Sequence, residues 1–193
     1  MYKAILLLLA GAAMAAEVKQ LPPPVLTGGM PLMEAINARQ SGRRYNPEHK
    51  VDDQTLSEIL WVAWGVNSHG KRTIPTARNL QNMGLYVISP EGCWRYNAQD
   101  NCLEKVSDEN LIPLCEQQAF VKNAPLHLIY TAVDDRWGRS HVGSAYQNVY
   151  LYATSKGMNT VVRGMIDTAA LTAALPLPEG QVVIAHQTIG YAE

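Results

Sequence analysis

Apolar residues recur along this chain at both helical and strand spacing. Leu56, Ile59, Leu60, Ala63 and Trp64 fall at i, i+3, i+4, i+7 and i+8, which predicts a helix over residues 52–67 capped by Asp52 or Asp53. A shorter stripe of Leu32, Met33 and Ile36 predicts a helix over 30–39. Val142, Ala145, Tyr146, Val149 and Ala153 predict one over 140–156, closed by Gly157. Residues 108–120 and 168–175 also read as helical, Pro113 being tolerable only near a first turn. Extended runs at 84–89, 125–133 and 181–189 predict strands, and 159–162 a short extended piece. Residues 93–96 and 102–106 flank a polar 97–101 stretch and predict a hairpin. Residues 68–82 are polar and without period. Helices and strands mix with no regular β-α-β beat, so the pattern predicts an α+β fold rather than a doubly wound sheet.

The first residues follow another logic. Lys3 precedes an unbroken apolar run, Ala4 to Ala10, and an Ala13-Met14-Ala15 cleavage pattern. Residues 1–15 therefore read as a secretory signal peptide, too short to span a bilayer, which takes ~20 apolar residues. The expected location is periplasmic or secreted, with no stable membrane insertion after cleavage. Residues 16–29, with Leu21-Pro22-Pro23-Pro24, read as an extended leader, and 30–193 as one folded domain.

Composition narrows the function classes. The 193 residues carry 16 Lys+Arg against 17 Asp+Glu, a formal charge of -1, which offers no basic excess for a nucleic-acid partner. Cys93, Cys102 and Cys115 allow at most one bridge among them, and their spacing does not name the pair. With no Cys-x-x-Cys and five scattered histidines, no metal site is predicted. No Gly-x-Ser-x-Gly elbow, Walker loop or Gly-x-Gly-x-x-Gly occurs. The adjacent pairs Asp52-Asp53 and Asp134-Asp135 read as a cap and a turn, so no side chain is singled out as a catalytic acid or base.

Three segments carry chemistry. Arg39-Gln40-Ser41-Gly42-Arg43-Arg44 crowds guanidinium forks, an amide and a hydroxyl, donors suited to phosphate oxygens. Arg72-Thr73-Ile74-Pro75-Thr76-Ala77-Arg78-Asn79-Leu80-Gln81 is a loop of small and polar residues, in which Asn79 can both donate and accept at a heterocycle edge. Gln147-Asn148, then Gly157-Met158, lead to Val162-Arg163-Gly164-Met165, a glycine turn that can aim a backbone N–H at a ring nitrogen.

In this order the three segments resemble the nitroreductase-like FMN flavoproteins, over about Met30 to Tyr191. The family pattern Arg-x-Ser-x-Arg stands here as Arg39-Gln40-Ser41-Gly42-Arg43, and Pro-Ser-Ser-x-Asn-x-Gln as Pro75-Thr76-Ala77-Arg78-Asn79-Leu80-Gln81. The Arg72-Thr73-x-Pro75 loop, Gln118-x-Phe120-Val121 and Gly190-Tyr191 look closest to the SagB/ThcOx-type dehydrogenase branch. The resemblance implies a mostly antiparallel central sheet flanked by helices, and FMN held noncovalently at a homodimer interface. It implies Arg39 and Ser41 on the phosphate and ribityl chain, with Gln40 beside them, and Arg43 at the pyrimidine edge. Pro75, Thr76, Ala77 and Asn79 would come from the partner subunit, and Val162, Arg163, Gly164 and Met165 would lie against the flavin. The implied activity is hydride transfer to or from a small-molecule substrate in a ping-pong cycle. Ala77 departs from the second Ser of the pattern, and only two residues follow Tyr191 where many relatives carry basic ones. The alternative reading is a flavin-binding or FMN-less scaffold without turnover.

Overall fold

The computed structural model describes residues 17–193, so the predicted signal peptide lies outside the described residues. In chain order the elements are β1 (Val18–Gln20), α1 (Leu32–Ala38), α2 (Asp53–Trp64), β2 (Met83–Ser89), β3 (Gly92–Asn97), β4 (Cys102–Ser107), β5 (Leu126–Val133), α3 (Arg136–Ser155), β6 (Met158–Arg163), α4 (Thr168–Ala174) and β7 (Gln181–Tyr191). The strands form one seven-stranded sheet, ordered β1-β4-β3-β2-β5-β7-β6, in which every pairing is antiparallel. This is the α+β architecture expected from the pattern.

Alternation along the central strands supplies two cores. On β2, Leu85 and Val87 face one cluster while Tyr86 and Ile88 face the other; on β5, Leu128 and Tyr130 oppose Ile129 in the same way. The first face is covered by α2 and α3. Leu56, Ile59, Leu60, Ala63 and Trp64 of α2 are all buried there, together with Val142, Ala145, Val149 and Ala153 of α3. The second face is covered by α4 and by short 3₁₀ turns at Ile112–Cys115 and Ala119–Asn123. Each fully buried Leu or Ile contributes roughly 1.5–3 kcal/mol by leaving water.

Local chemistry explains where the elements begin. The Asp52 carboxylate accepts the Thr55 N–H at 2.7 Å and caps α2. Asp135 accepts the Gly138 N–H at 2.7 Å, so α3 starts at Arg136, four residues before the predicted start, and takes Trp137 into its first turn. Asp167 caps α4 through the Ala170 N–H.

Two expectations change. Residues 108–120 are not a helix. The Asn110 side chain accepts the Ile112 N–H, the Leu114 carbonyl accepts from Asp167 N–H, and the Cys115 carbonyl accepts from the Arg163 guanidinium. Two carbonyls needed for i→i+4 bonding are thus engaged elsewhere, and only 3₁₀ turns form. The segment expected as an extended leader outside the folded domain contributes to the sheet. Val18–Gln20 pairs with β4, Leu21 is buried, and the Pro22 carbonyl accepts from Ser57 at 2.6 Å and from Asn101 at 3.0 Å.

The apolar stripe of α1 behaves unlike the others. Only Ala35 is buried, and Leu32, Met33 and Ile36 are 63%, 74% and 49% exposed. Val25 and Leu26, earlier in the chain, are exposed as well.

Candidate functional site

The site grows from the way Arg39 to Arg44 is anchored as it leaves α1. Gly42 N–H donates to the Thr160 carbonyl at 3.1 Å, which lays the turn along edge strand β6. A Cβ at Gly42 would collide with the Asn159 side chain, so only glycine permits this approach. Asn159 in turn donates to the Arg44 carbonyl at 2.6 Å. Tyr45 is fully buried and bonds both the Gly42 carbonyl (3.2 Å) and the Thr188 hydroxyl (2.7 Å). Burial pushes its phenol up to about 12, so it stays protonated and holds the turn at neutral pH.

Tyr150 of α3 joins this turn to the end of β6. Its Oη lies 3.0 Å from Ser41 Oγ and accepts the Val162 N–H at 3.0 Å. The Arg39 guanidinium sits over the same ring, 5.3 Å from its centroid. Arg43 lies over Phe120 at 5.8 Å. Among the described residues no ion pair engages Arg39, Arg43 or Arg44, nor Lys50, Lys71, Arg72, Arg78 or Arg136; what distinguishes the first three is their crowding in one turn, which suits an anion.

Beyond Val162 the surface opens. A trough lined by Val142, Tyr146, Val162, Gly164 and Ala185 lies between α3 and the β6 end, and a cavity of about 730 Å³ between α4, β7 and Gly164 adjoins it. The two share Gly164, Arg139 and Ile184. Open space stands over Gly164, where an added Cβ would meet nothing within 4 Å. Ile184 reaches this position because the β5–β7 register slips beside Tyr130, pairing it with Ala185 and Thr131 with Val183.

The Pro75–Asn79 loop is elsewhere in the same subunit. Ala77 N–H donates to His141 Nε2 at 2.8 Å, which leaves His141 Nδ1 to donate to Asn82 Oδ1 at 3.2 Å. Burial lowers the proton affinity of this imidazole, which favours the neutral form that can accept. His141 and Tyr150 are nine residues apart on α3, about 13 Å along its axis at 1.5 Å per residue. Arg78, Asn79 and Gln81 hold positive φ angles of 52°, 57° and 45°, a left-handed backbone that is costly outside glycine. Such strain concentrates at ligand sites. Pro75 and Asn79 are exposed, and Thr76 bonds inward to the Gln81 N–H at 3.4 Å.

The structure thus brings Arg39, Ser41, Arg43, Val162 and Gly164 onto one surface, with Gln40 exposed beside them. Pro75, Thr76, Ala77 and Asn79 lie in the loop anchored at His141, about 13 Å along α3 from Tyr150. Arg163 is only 4% exposed, and its side chain points under the turn; Met165 is 58% exposed. Tyr150 carries no motif of its own, and its two polar contacts depend on tertiary placement.

Residues 36–191 match the Nitroreductase family. The chain belongs to that family. A protein of Methanocaldococcus jannaschii described as a nitroreductase is 32% identical over 155 residues, covering 69% of this chain and 78% of its own. The crystal structure of a protein from Ralstonia eutropha JMP134, also described as a nitroreductase, superposes with a TM-score of 0.83 at 34% identity, covering 91% of this chain and 90% of that one. A chain of the Escherichia coli microcin synthetase complex shares the fold, with a TM-score of 0.68 at 17% identity over 90% of this chain and 77% of that one. The protein is therefore a nitroreductase-family oxidoreductase, and the family is generally flavin-dependent.

Proposed function

We propose that this nitroreductase-family protein is an exported, homodimeric FMN-dependent dehydrogenase of the SagB/ThcOx type, acting on a small molecule in a ping-pong cycle. The observation that carries the reading is the bridge at Tyr150: one hydroxyl holds both Ser41, in the arginine turn, and the Val162 N–H, beside the open Gly164. Unpartnered guanidinium groups and an unfilled trough are thereby one surface, the shape and charge that an aromatic phosphate ester requires. When bound, FMN supplies hydride exchange at its ring.

The residues of this chain divide the remaining work. Arg39 and Ser41 would hold the phosphate and ribityl chain, with Gln40 at their edge. Arg43 would lie at the pyrimidine edge. Val162 and Gly164 would support the ring, with a backbone N–H of Gly164 or Met165 directed at its N5. In this reading Pro75, Thr76, Ala77 and Asn79 of the partner subunit would close the site, because the same chain's loop is anchored at His141, about 13 Å along α3 from the Tyr150 bridge that holds the arginine turn. Ala77 contributes shape only, because its N–H is already given to His141. The exposed Leu32, Met33 and Ile36 of α1 are the apolar surface a second copy would cover. No side-chain acid or base has to serve in this arrangement.

Export separates the protein from the cytoplasmic nicotinamide pool, so the donor is a substrate met outside the cytoplasm. The test is an absorption spectrum of protein purified from the exported fraction. Flavin bands that bleach anaerobically with a candidate substrate, and only slowly with NADH, are expected. Rapid bleaching by NADH would remove the no-nicotinamide part of the proposal. Bound flavin that no donor reduces would favour a scaffold without turnover.

A further inference from the structure

Arg163 is buried directly beneath the open turn, and each of its guanidinium nitrogens has a hydrogen-bond partner. Its Nε donates to Gln118 Oε1 at 2.8 Å. Its Nη1 donates to the Cys115 carbonyl at 2.8 Å and to His186 Nδ1 at 2.9 Å. Its Nη2 donates to the Met165 carbonyl at 2.9 Å. A guanidinium only donates, so His186 Nδ1 must accept. His186 Nε2 then carries the proton and donates to His127 Nδ1 at 3.2 Å. Register sets this up, since Arg163 on β6 stands opposite His186 on β7.

The chain of bonds is directional and carries one charge. Both imidazoles are neutral when folded, being buried and close to the Arg163 cation. Among the described residues no carboxylate pairs with Arg163. The Phe120 ring has this cation 5.4 Å from its centroid and the Arg43 guanidinium 5.8 Å from it. A buried cation without a counter-charge is expensive to maintain, and an anion arriving above it is correspondingly favoured.

We propose that Arg163 is a positioning residue of the candidate site: it clamps the Gly164–Met165 turn from beneath, and its uncompensated charge favours the electron-rich, reduced form of the flavin lying on that turn. The second half of this inference rests on the FMN reading above; the clamp does not. Arg163 touches neither flavin nor substrate in this account. It acts through the Met165 peptide, whose orientation it fixes, and through space.

The test compares wild type, Arg163→Gln and Arg163→Lys at low temperature. Dissociation constants are measured for oxidised FMN and, anaerobically, for dithionite-reduced FMN. In parallel, amide exchange is followed at Ile166 and Asp167, whose N–H groups donate to the Gly164 and Leu114 carbonyls and report the order of the turn. Arg163→Gln should leave oxidised FMN within about threefold and weaken reduced FMN about tenfold, which is about 30 mV for a two-electron couple. Arg163→Lys keeps the charge without the fork. It should hold the affinity ratio near wild type while exchange at Ile166 and Asp167 rises at least about tenfold. An unchanged ratio in Arg163→Gln overturns the electrostatic role, and unchanged exchange in Arg163→Lys overturns the clamp. If Arg163→Gln does not fold, Arg163→Lys decides: loss of the ratio together with unchanged exchange sinks the proposal. A wild-type chain that takes up no FMN removes the functional reading and the electrostatic half with it. The clamp is then judged by exchange alone, which needs no ligand.

Discussion

Two arginine clusters border the same turn and have opposite finish. Around Arg163 each guanidinium nitrogen meets a protein acceptor, Arg163 is 4% exposed, and the imidazoles behind it are locked in one tautomer. Around Arg39 and Arg43 the backbone is equally well pinned, by Thr160, Asn159 and Tyr45, but the guanidinium groups meet only aromatic faces. In the first cluster Arg163 gives four of its five N–H donors to the protein. The second keeps its donors for something else. The same residue type thus serves as scaffold or as ligand contact according to whether its partners are already present.

The contrast can be broken most sharply by stability. Arg163→Ala strands the Cys115 and Met165 carbonyls and His186 Nδ1, each unsatisfied group costing ~1–3 kcal/mol, so a loss on the order of 4 kcal/mol is expected in urea unfolding. Arg39→Ala should stay within about 0.5 kcal/mol of wild type. Equal losses would erase the distinction.

Acid should attack the buried cluster and leave the arginine turn unaffected. His127 is lowered from 6.5 to about 4 and His186 is lowered well below its ordinary value, both chiefly by burial. Folded-state values below the unfolded ones mean that the unfolded chain binds more protons as pH drops. The stabilisation is complete above about pH 6.5 and is lost on the way down to about pH 4. His127 alone contributes on the order of 3 kcal/mol to this loss. A denaturation series that is flat across that window would contradict the neutral relay.

The open cluster should respond to ligand instead. Arg43→Ala or Arg39→Ala should weaken FMN by about 10–100-fold, the range for one charge-assisted bond, with the unfolding midpoint unmoved. Fluorescence titration measures this, and unchanged affinity would detach the cluster from the cofactor. The smallest effect is expected at Arg78, whose φ of 52° is strained. Arg78→Gly should raise stability by up to about 1 kcal/mol, a gain that a relaxed loop would not show.

Much of this framework is legible in the order of residues, and the gaps have physical causes. The spacing of Leu56, Ile59, Leu60, Ala63 and Trp64 predicts α2 because burial of one face is a local property of a helix. The apolar 125–133 run predicts β5 for the same reason. Residues 108–120 have helical composition, but Asp167 and Arg163 engage the carbonyls of Leu114 and Cys115, and both lie far along the chain. The early start of α3 had a readable signal, Asp135 three residues before Gly138, that the apolar stripe does not include. In the site, Arg39, Ser41 and Arg43 carry a compact motif. Tyr150, His127 and His186 carry none, because their roles arise from strand register and helix packing. Arg163 was visible as part of the turn, but which way its side chain points was not.

The central claim is that one site is built from two subunits, and subunit mixing tests it most directly. A chain with Arg39→Ala and Arg43→Ala, and another with Thr76→Ala and Asn79→Ala, should each lose FMN binding alone. Co-expressed with different tags and purified as the mixed dimer, they should recover one FMN site per dimer, formed by the intact arginine turn of one chain and the intact loop of the other. A mixed dimer that stays colourless with FMN would contradict the account.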